Sequence, residues 1–268
     1  MLKSKKEEIS KARQIYLKNQ KKSKFWVIFW RIALFILFLG LWQLFASVGL
    51  IDPFFFSSPT RIISTIGSLA NQNNLWIHIW TSLYETIIGF LLASAIGFVI
   101  AVLLWWSEKL RKILEPYLVI LNSLPKIALG PMIILWVGSG TSATIVMCIL
   151  ICVIITIIST LNAFISCDKD KILLMKSMHA TKMQTFFKLV LPNALPDFVS
   201  VLKINVGMSW VGTIMGEYLS SKAGLGYLIN YGSQILKLDI VMTSIVLLCV
   251  LAGGMYLLVS MFEKRVKK

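Results

Sequence analysis

Acidic residues are scarce in this chain. Among 268 residues there are 12 Asp and Glu against 27 Lys and Arg, and charged residues of either sign make up 15%. A water-soluble domain carries about 25% charged residues, so this chain has too little polar surface to cover a water-facing body. Histidine is rarer still: His78 and His179 stand on opposite sides of the membrane in the topology below, which excludes a metal shared between them. The four cysteines, Cys148, Cys152, Cys167 and Cys249, lack the C-x-x-C spacing of zinc or redox sites and are read as small packing residues. There is no G-x-x-x-x-G-K-[ST] sequence and no G-x-S-x-G elbow, so neither ATP binding by this chain nor hydrolase chemistry is expected. No catalytic residue, metal or cofactor is expected.

What the chain has instead is apolar length. Hydrophobic residues account for 57% and the mean hydropathy is +0.79, which excludes disorder. About 20 apolar residues cross a bilayer core. Uncharged stretches of that length lie at 32–51, 86–107, 127–167 and 240–262. The third is too long for one helix and carries Gly138-Ser139-Gly140-Thr141, which suits a turn, so it reads as two spans, Ile113 to Val137 and Ser142 to Ser166. A further span from Pro196 to Leu219 is interrupted by Asp197, Lys203 and Glu217. The sum is six spans. The run from Phe25 to Leu50 exceeds the h-region of a signal peptide and reads as a retained first span.

Basic residues in short loops mark the cytoplasmic side. Alternate loops from the N-terminus, 1–24, 107–116, 167–195 and 263–268, hold 21 of the 27 basic residues, while the opposite loops hold Arg61, Lys222 and Lys237. Both termini are therefore expected in the cytoplasm. The expected organisation is a basic tail over 1–24, a six-helix membrane domain over 25–262 that includes a cytoplasmic loop over 167–195, and a short tail over 263–268. The basic excess is explained by topology and by the anionic lipid bilayer, and no nucleic acid partner is expected.

The loop 167–195 is longer than a plain connection between membrane helices. Within it Ile172, Met175, His179, Met183, Phe186 and Val190 recur at helical spacing, with lysines on other faces. Such a ridge either lies on lipid or docks a soluble partner. Leu173-Leu174-Met175-Lys176-Ser177-Met178-His179, nine residues, then Leu189-Val190-Leu191-Pro192, resembles the cytoplasmic loop of the permease subunits of ABC importers, whose form is E-A-A, three residues, G, nine residues, I-x-L-P. The spacing agrees throughout. Leu173-Leu174-Met175 stands for Glu-Ala-Ala and His179 for the glycine, and because histidine accepts positive φ less readily than glycine, a more continuous helix is expected here. His179 itself is expected to pack partly buried. Asn122 to Pro131, and Trp210 to Leu228 with Met215-Gly216-Glu217 and Gly224-Leu225-Gly226-Tyr227, resemble the nitrate/sulfonate/taurine branch.

The resemblance implies an all-α integral membrane protein, with six transmembrane helices and a cytoplasmic coupling-helix loop, of the type I ABC importer permease kind. It implies a homodimer with a second permease copy, two copies of an ABC ATPase subunit below and an extracytoplasmic substrate-binding protein above. The coupling loop would comprise Leu173, Leu174, Met175, Lys176, Ser177, Met178, His179, Ala180 and Thr181, with Leu191 and Pro192. The solute would be nitrate-, sulfonate- or taurine-like. A thiamine-pyrimidine or other heterocyclic vitamin precursor is the alternative, and an ATPase-independent secondary transporter a further one. An enzyme would need a clustered acid, base or nucleophile, which the spans lack.

Polar groups inside the spans are the pathway candidates, since a charge in hydrocarbon is kept facing a partner or water. Asn122, Ser123 and Lys126 lie at a segment broken by Pro125 and Pro131; Lys203, Asn205 and Ser209 form a polar pattern on the fifth span; Glu217 lies at its outer end, where it needs a cationic or hydrogen-bonding partner. Packing or snorkelling is the plainer reading of each. Glu85 is expected to be a boundary charge at the start of the second span.

Overall fold

The computed structural model describes residues 11–71 and 74–266. Much of the basic tail (1–10) and Lys267 and Lys268 lie outside the described residues. Contacts divide the chain into two units, Met1–Ile62 and Ile63–Lys268. In the first unit, helix α1 (Lys11–Val48) carries the first apolar run, Phe25–Val48. Trp26, Phe29 and Trp30 contact one another edge-on and stacked near its start. A short helix α2 (Pro53–Phe56) follows, capped by Asp52, whose Oδ1 accepts from Phe54 N–H at 2.8 Å. Helix α3 (Pro59–Asn71) starts where Gln43 Oε1 accepts from Thr60 N–H and Oγ1–H, both at 3.3 Å.

The second unit is built on three long helices, α4 (Asn74–Trp106), α7 (Thr141–Ile165) and α10 (Leu191–Ser220), with α7 packed along both others. Within hydrocarbon there is no hydrophobic drive to bring helices together, so close approach and buried hydrogen bonds do this. Gly212 and Gly216 let the backbone of α10 approach that of α7: a Cβ on either would come within 2.6 Å of Cys148 Cα or Thr144 Cα. A polar seam runs through the same interface, where Asn205 Nδ2 donates to Thr156 Oγ1 at 2.7 Å and Thr86 Oγ1 donates to Thr213 Oγ1 at 3.0 Å. Cys148, Cys152 and Cys167 are buried as expected of packing residues, whereas Cys249 is exposed.

Between α4 and α7 lies the broken segment. Helix α5 (Glu108–Ser123) is capped by Ser107, and helix α6 (Gly130–Val137) follows a 3₁₀ turn at Lys126–Leu129. The two parts are bent by 83°. The span expected from Ile113 to Val137, with its break at the prolines, is found as two helices joined by this bend. The cause is local: Pro125 offers no N–H and forces Leu124 into an extended conformation (φ −63°, ψ 136°). After α7 come α8 (Lys169–Ser177), α9 (Lys182–Thr185) and a π-helical turn (Phe186–Val190) running into α10, then α11 (Leu225–Gln234) and α12 (Leu238–Val266). Among the described residues, five helical segments are long and apolar enough to cross a membrane, and six when the bent pair is taken as one. The architecture is all-α and membrane-integral.

Candidate functional site

The segment between α7 and α10 is built from caps. Asp168 Oδ1 accepts from Asp170 N–H at 2.9 Å and starts α8. The helix ends in a left-handed residue, His179 at φ +56°, with Ala180 N–H donating to Met175 O and His179 N–H to Lys176 O, both at 2.9 Å. This is the hydrogen-bond pattern of a helix stop that usually takes glycine at the left-handed position. The expectation of a more continuous helix is therefore corrected: His179 takes the turn itself. It is exposed rather than packed, so the side chain meets no steric penalty beyond the backbone strain. Thr181 restarts the chain as α9 with a reciprocal capping box, Thr181 Oγ1 accepting from Gln184 N–H at 3.2 Å and Gln184 Oε1 from Thr181 N–H at 2.9 Å.

The break divides the single ridge that the spacing suggested. Ile172 and Met175 are half-buried, Met183 is exposed, and Phe186 and Val190 are buried. Outward, Leu173, Leu174 and Met178 are 65%, 60% and 70% exposed, and Lys176 and Ser177 are exposed beside them. Inward, the segment is fixed to α4. Lys182 Nζ donates to Trp106 O and stands 5.6 and 5.7 Å from the ring centres of Trp105 and Trp106. Phe186 packs against Trp105, Trp106 and Phe164 at 4.9, 6.2 and 5.5 Å. Leu191 and Pro192 form the first turn of α10, so the segment is joined to α10 by the chain and to α4 by contact.

The in-span candidates fall into three groups. Asn122 and Ser123 are exposed at the end of α5, where Lys126 Nζ donates to Asn122 O at 3.3 Å and to its Oδ1 at 3.5 Å. Asn205 and Ser209 are fully buried in the α4–α7–α10 interface, with Ser209 Oγ donating to Val206 O at 2.9 Å. Lys203 is paired: its Nζ lies 2.7 Å from Glu263 Oε2, tying α10 to α12. Ser200 Oγ donates to Glu263 Oε1 at 3.3 Å.

Glu217 is buried, and its Oε2 accepts from Gly226 N–H at 2.6 Å at the start of α11. Glu85 is also buried, with no exposed surface, which corrects its reading as a boundary charge. Helix α4 begins at Asn74, well before the uncharged stretch does, so Glu85 falls inside the helix and faces α7 and α10.

The second unit thus combines a broken apolar segment, a capped helix with an outward apolar patch and a polar seam among three long helices. Residues 86–268 match the model of the family described as the binding-protein-dependent transport system inner membrane component. The chain belongs to that family. This permease is a transport component rather than an enzyme, with ATP hydrolysis on a separate subunit, and a membrane protein of several spans. The taurine transport system permease protein TauC of Escherichia coli strain K12 is 25% identical over 80% of this chain and 80% of its own. The formylaminopyrimidine transport permease protein ThiX of Halalkalibacterium halodurans is 28% identical over 72% of this chain and 76% of its own. In fold, the permease is similar to a chain of the MetNI methionine ABC transporter solved in inward-facing conformations, with a TM-score of 0.63, 24% identity and coverage of 72% of this chain and 98% of that one.

Sequence reasoning missed three participants in the permease. Glu85 was hidden by its place near an uncharged stretch. Glu263 was assigned to a tail because a run of charges ends the chain. The Trp105-Trp106 pair reads in sequence as an ordinary aromatic girdle, and only the fold places Lys182 over it.

Proposed function

We propose that two copies of this permease form the translocation pathway of an importer for a small sulfonate-, taurine- or nitrate-like solute, delivered by an extracytoplasmic binding protein and driven by two ATPase subunits. The observation that carries the reading is the segment Leu173–Thr181: an apolar patch held outward by a capped helix and clamped inward to α4 through Lys182 and Phe186. An amphipathic helix seated in a partner's groove is an established recognition mode, and the inward clamp makes a docked α8 a lever. Both termini and this segment lie on the cytoplasmic side in the proposal, consistent with the bias of basic residues. The exposed polar group of Asn122, Ser123 and Lys126, at a break in the helix, is a surface that hydrocarbon would not tolerate and a second copy would enclose. In this scheme Asn205, Ser209 and Lys203 position the helices that flank the pathway.

The test is reconstitution of the permease with its ATPase. Met178→Glu leaves membrane insertion intact and abolishes substrate-stimulated hydrolysis and co-purification of the ATPase. Retention of both would reject the docking role and favour a lipid-surface helix, with an ATPase-independent carrier as the remaining transport reading. For the solute, the similarity to a formylaminopyrimidine permease supports a second reading, a heterocyclic vitamin precursor. A thermal-shift screen of the cognate binding protein against sulfonates, nitrate and aminopyrimidines separates the two.

A further inference from the structure

At the end of the bundle opposite Leu173–Thr181, two acids are buried, of which only Glu217 was a pathway candidate. Glu85 on α4 is 0% exposed and Glu217 on α10 is 1% exposed. The carboxyls lie against one another, with the hydroxyls of Thr141 and Thr144 beside Glu85 and that of Ser82 beside Glu217. Among the described residues no Lys or Arg pairs with either. Beyond those hydroxyls, no donor reaches Glu85 Oε1, Glu85 Oε2 or Glu217 Oε1. The other titratable groups on the surrounding elements are His78 and Tyr84 on α4, Cys148 and Cys152 on α7, Asp197, Lys203 and Tyr218 on α10, Tyr227 and Tyr231 on α11 and Lys222 in the connecting loop. His78 is committed elsewhere: its Nδ1 accepts from Gly224 N–H at 3.0 Å and its ring stacks on Tyr227 at 5.7 Å.

The pair sits under a loop that it helps to hold. Three successive N–H groups open α11, and each has an acceptor on a long helix: Gly224 on His78, Leu225 on Ser82 Oγ at 2.7 Å and Gly226 on Glu217 Oε2. A helix start with its N–H groups free favours a negative charge, so the charge of the pair belongs on Glu217. Glu85 faces the first turn of α7 only through the hydroxyls of Thr141 and Thr144, and no backbone N–H is bonded to it. Two ionised carboxylates in contact, out of water and without a cation, repel one another and lose their hydration; one proton between them removes the repulsion and supplies the missing donor. A calcium ion would need six or more oxygens at about 2.3–2.6 Å, and among the described residues no third His, Cys, Asp or Glu joins the pair to hold a metal.

We propose that Glu85 and Glu217 share a single proton, carried on Glu85 and donated to Glu217 Oε1, and that this protonated pair latches the loop Ser221–Gly226 onto α4 and α10. Closure of this end of the permease is then proton-dependent. Water reaches the pair's surroundings through a polar hollow of about 350 Å³ lined by Thr81, Ser139, Thr141, Ser220 and Lys222, and Thr141 is the hydroxyl common to the hollow and Glu85. Loss of the proton sets two charges against each other beneath the loop and releases Gly226 from its acceptor.

The full-length chain in lipid nanodiscs tests this without ATPase or substrate, so its outcome is separate from that of the transport reading. Infrared spectra at neutral pH should show the carbonyl stretch of a protonated carboxylic acid, shifted in D₂O, lost at high pH and absent from Glu85→Gln. The melting temperature of the native chain should fall as pH is raised from the ordinary carboxyl range, because the folded state then holds a proton that the unfolded state has released. In Glu85→Gln, whose amide keeps a donor for Glu217, that dependence should disappear. Absence of the band at neutral pH, or its survival in both Glu85→Gln and Glu217→Gln, overturns the proposal. So does a rise in melting temperature with Na⁺, Mg²⁺ or Ca²⁺ in the native chain without the band, which would assign a cation instead. Should Glu85→Gln fail to fold, the band of the native chain and its loss at high pH decide alone.

Discussion

His179 and Lys203 carry their consequences in single side chains. His179 holds a left-handed conformation in which L-residues with a Cβ are strained by about 1–2 kcal/mol, and its imidazole is exposed. His179→Gly should therefore stabilise the permease by about 1 kcal/mol, less the entropy that glycine adds to the unfolded chain, measured as a rise in melting temperature with ATPase binding retained. A fall would mean that the imidazole makes a contact that the turn needs. Lys203 is a different case, because Glu263 lies 2.7 Å away. Removing the lysine takes this cation away from the carboxylate, so Lys203→Ala should lower the melting temperature, and Glu263→Gln in the same chain should recover part of the loss, since the two effects share one interaction. Additive losses would show that the pair contributes nothing. Neither partner choice is legible in the sequence: spacing placed a residue at the turn and a lysine on a span, but a pair 60 positions apart is set by how α10 and α12 pack.

Elements were more legible than their joins. Runs of apolar residues and proline positions placed α4, α7, α10 and α12 close to where they lie, because hydrophobic length and helix-breaking chemistry are local properties. The helical spacing across 170–190 extended through residue 179 without a gap, and so hid the stop after α8, whose cause is a backbone dihedral rather than a pattern of side chains. It also hid which way each part faces, since Phe186 is buried only because Trp105, Trp106 and Phe164 converge on it. That convergence can be tested. Phe186→Ala removes a buried aromatic and should cost about 3–5 kcal/mol, while Phe186→Leu should cost less and still let the ATPase bind. If the ring couples α9 to α4, the leucine variant binds the ATPase normally but shows a reduced ratio of uptake to hydrolysis. An unchanged ratio would restrict Phe186 to packing.

For the whole molecule, the distribution of charge makes a claim that no single helix can. Of 27 basic residues 21 fall in alternate loops, and each basic residue moved to the other side would oppose the rule that orients the helices. If the termini lie in the cytoplasm, cysteines placed at Ile15 and at Val266 are shielded from a membrane-impermeant thiol reagent in intact cells and react once the membrane is opened. A cysteine at Lys222, exposed between α10 and α11, labels in intact cells. The background is manageable, because Cys148, Cys152 and Cys167 are buried and Cys249 alone of the four is exposed, so the tags belong in a Cys249→Ser chain. Labelling of both terminal tags in intact cells would invert the molecule. It would then move the Leu173–Thr181 patch to the face away from ATP, and a helix there could not dock an ATPase however well its apolar side chains fit. An even number of spans requires the two tags to agree, so disagreement between them would mean that the bent pair α5–α6 enters and leaves on one side instead of crossing.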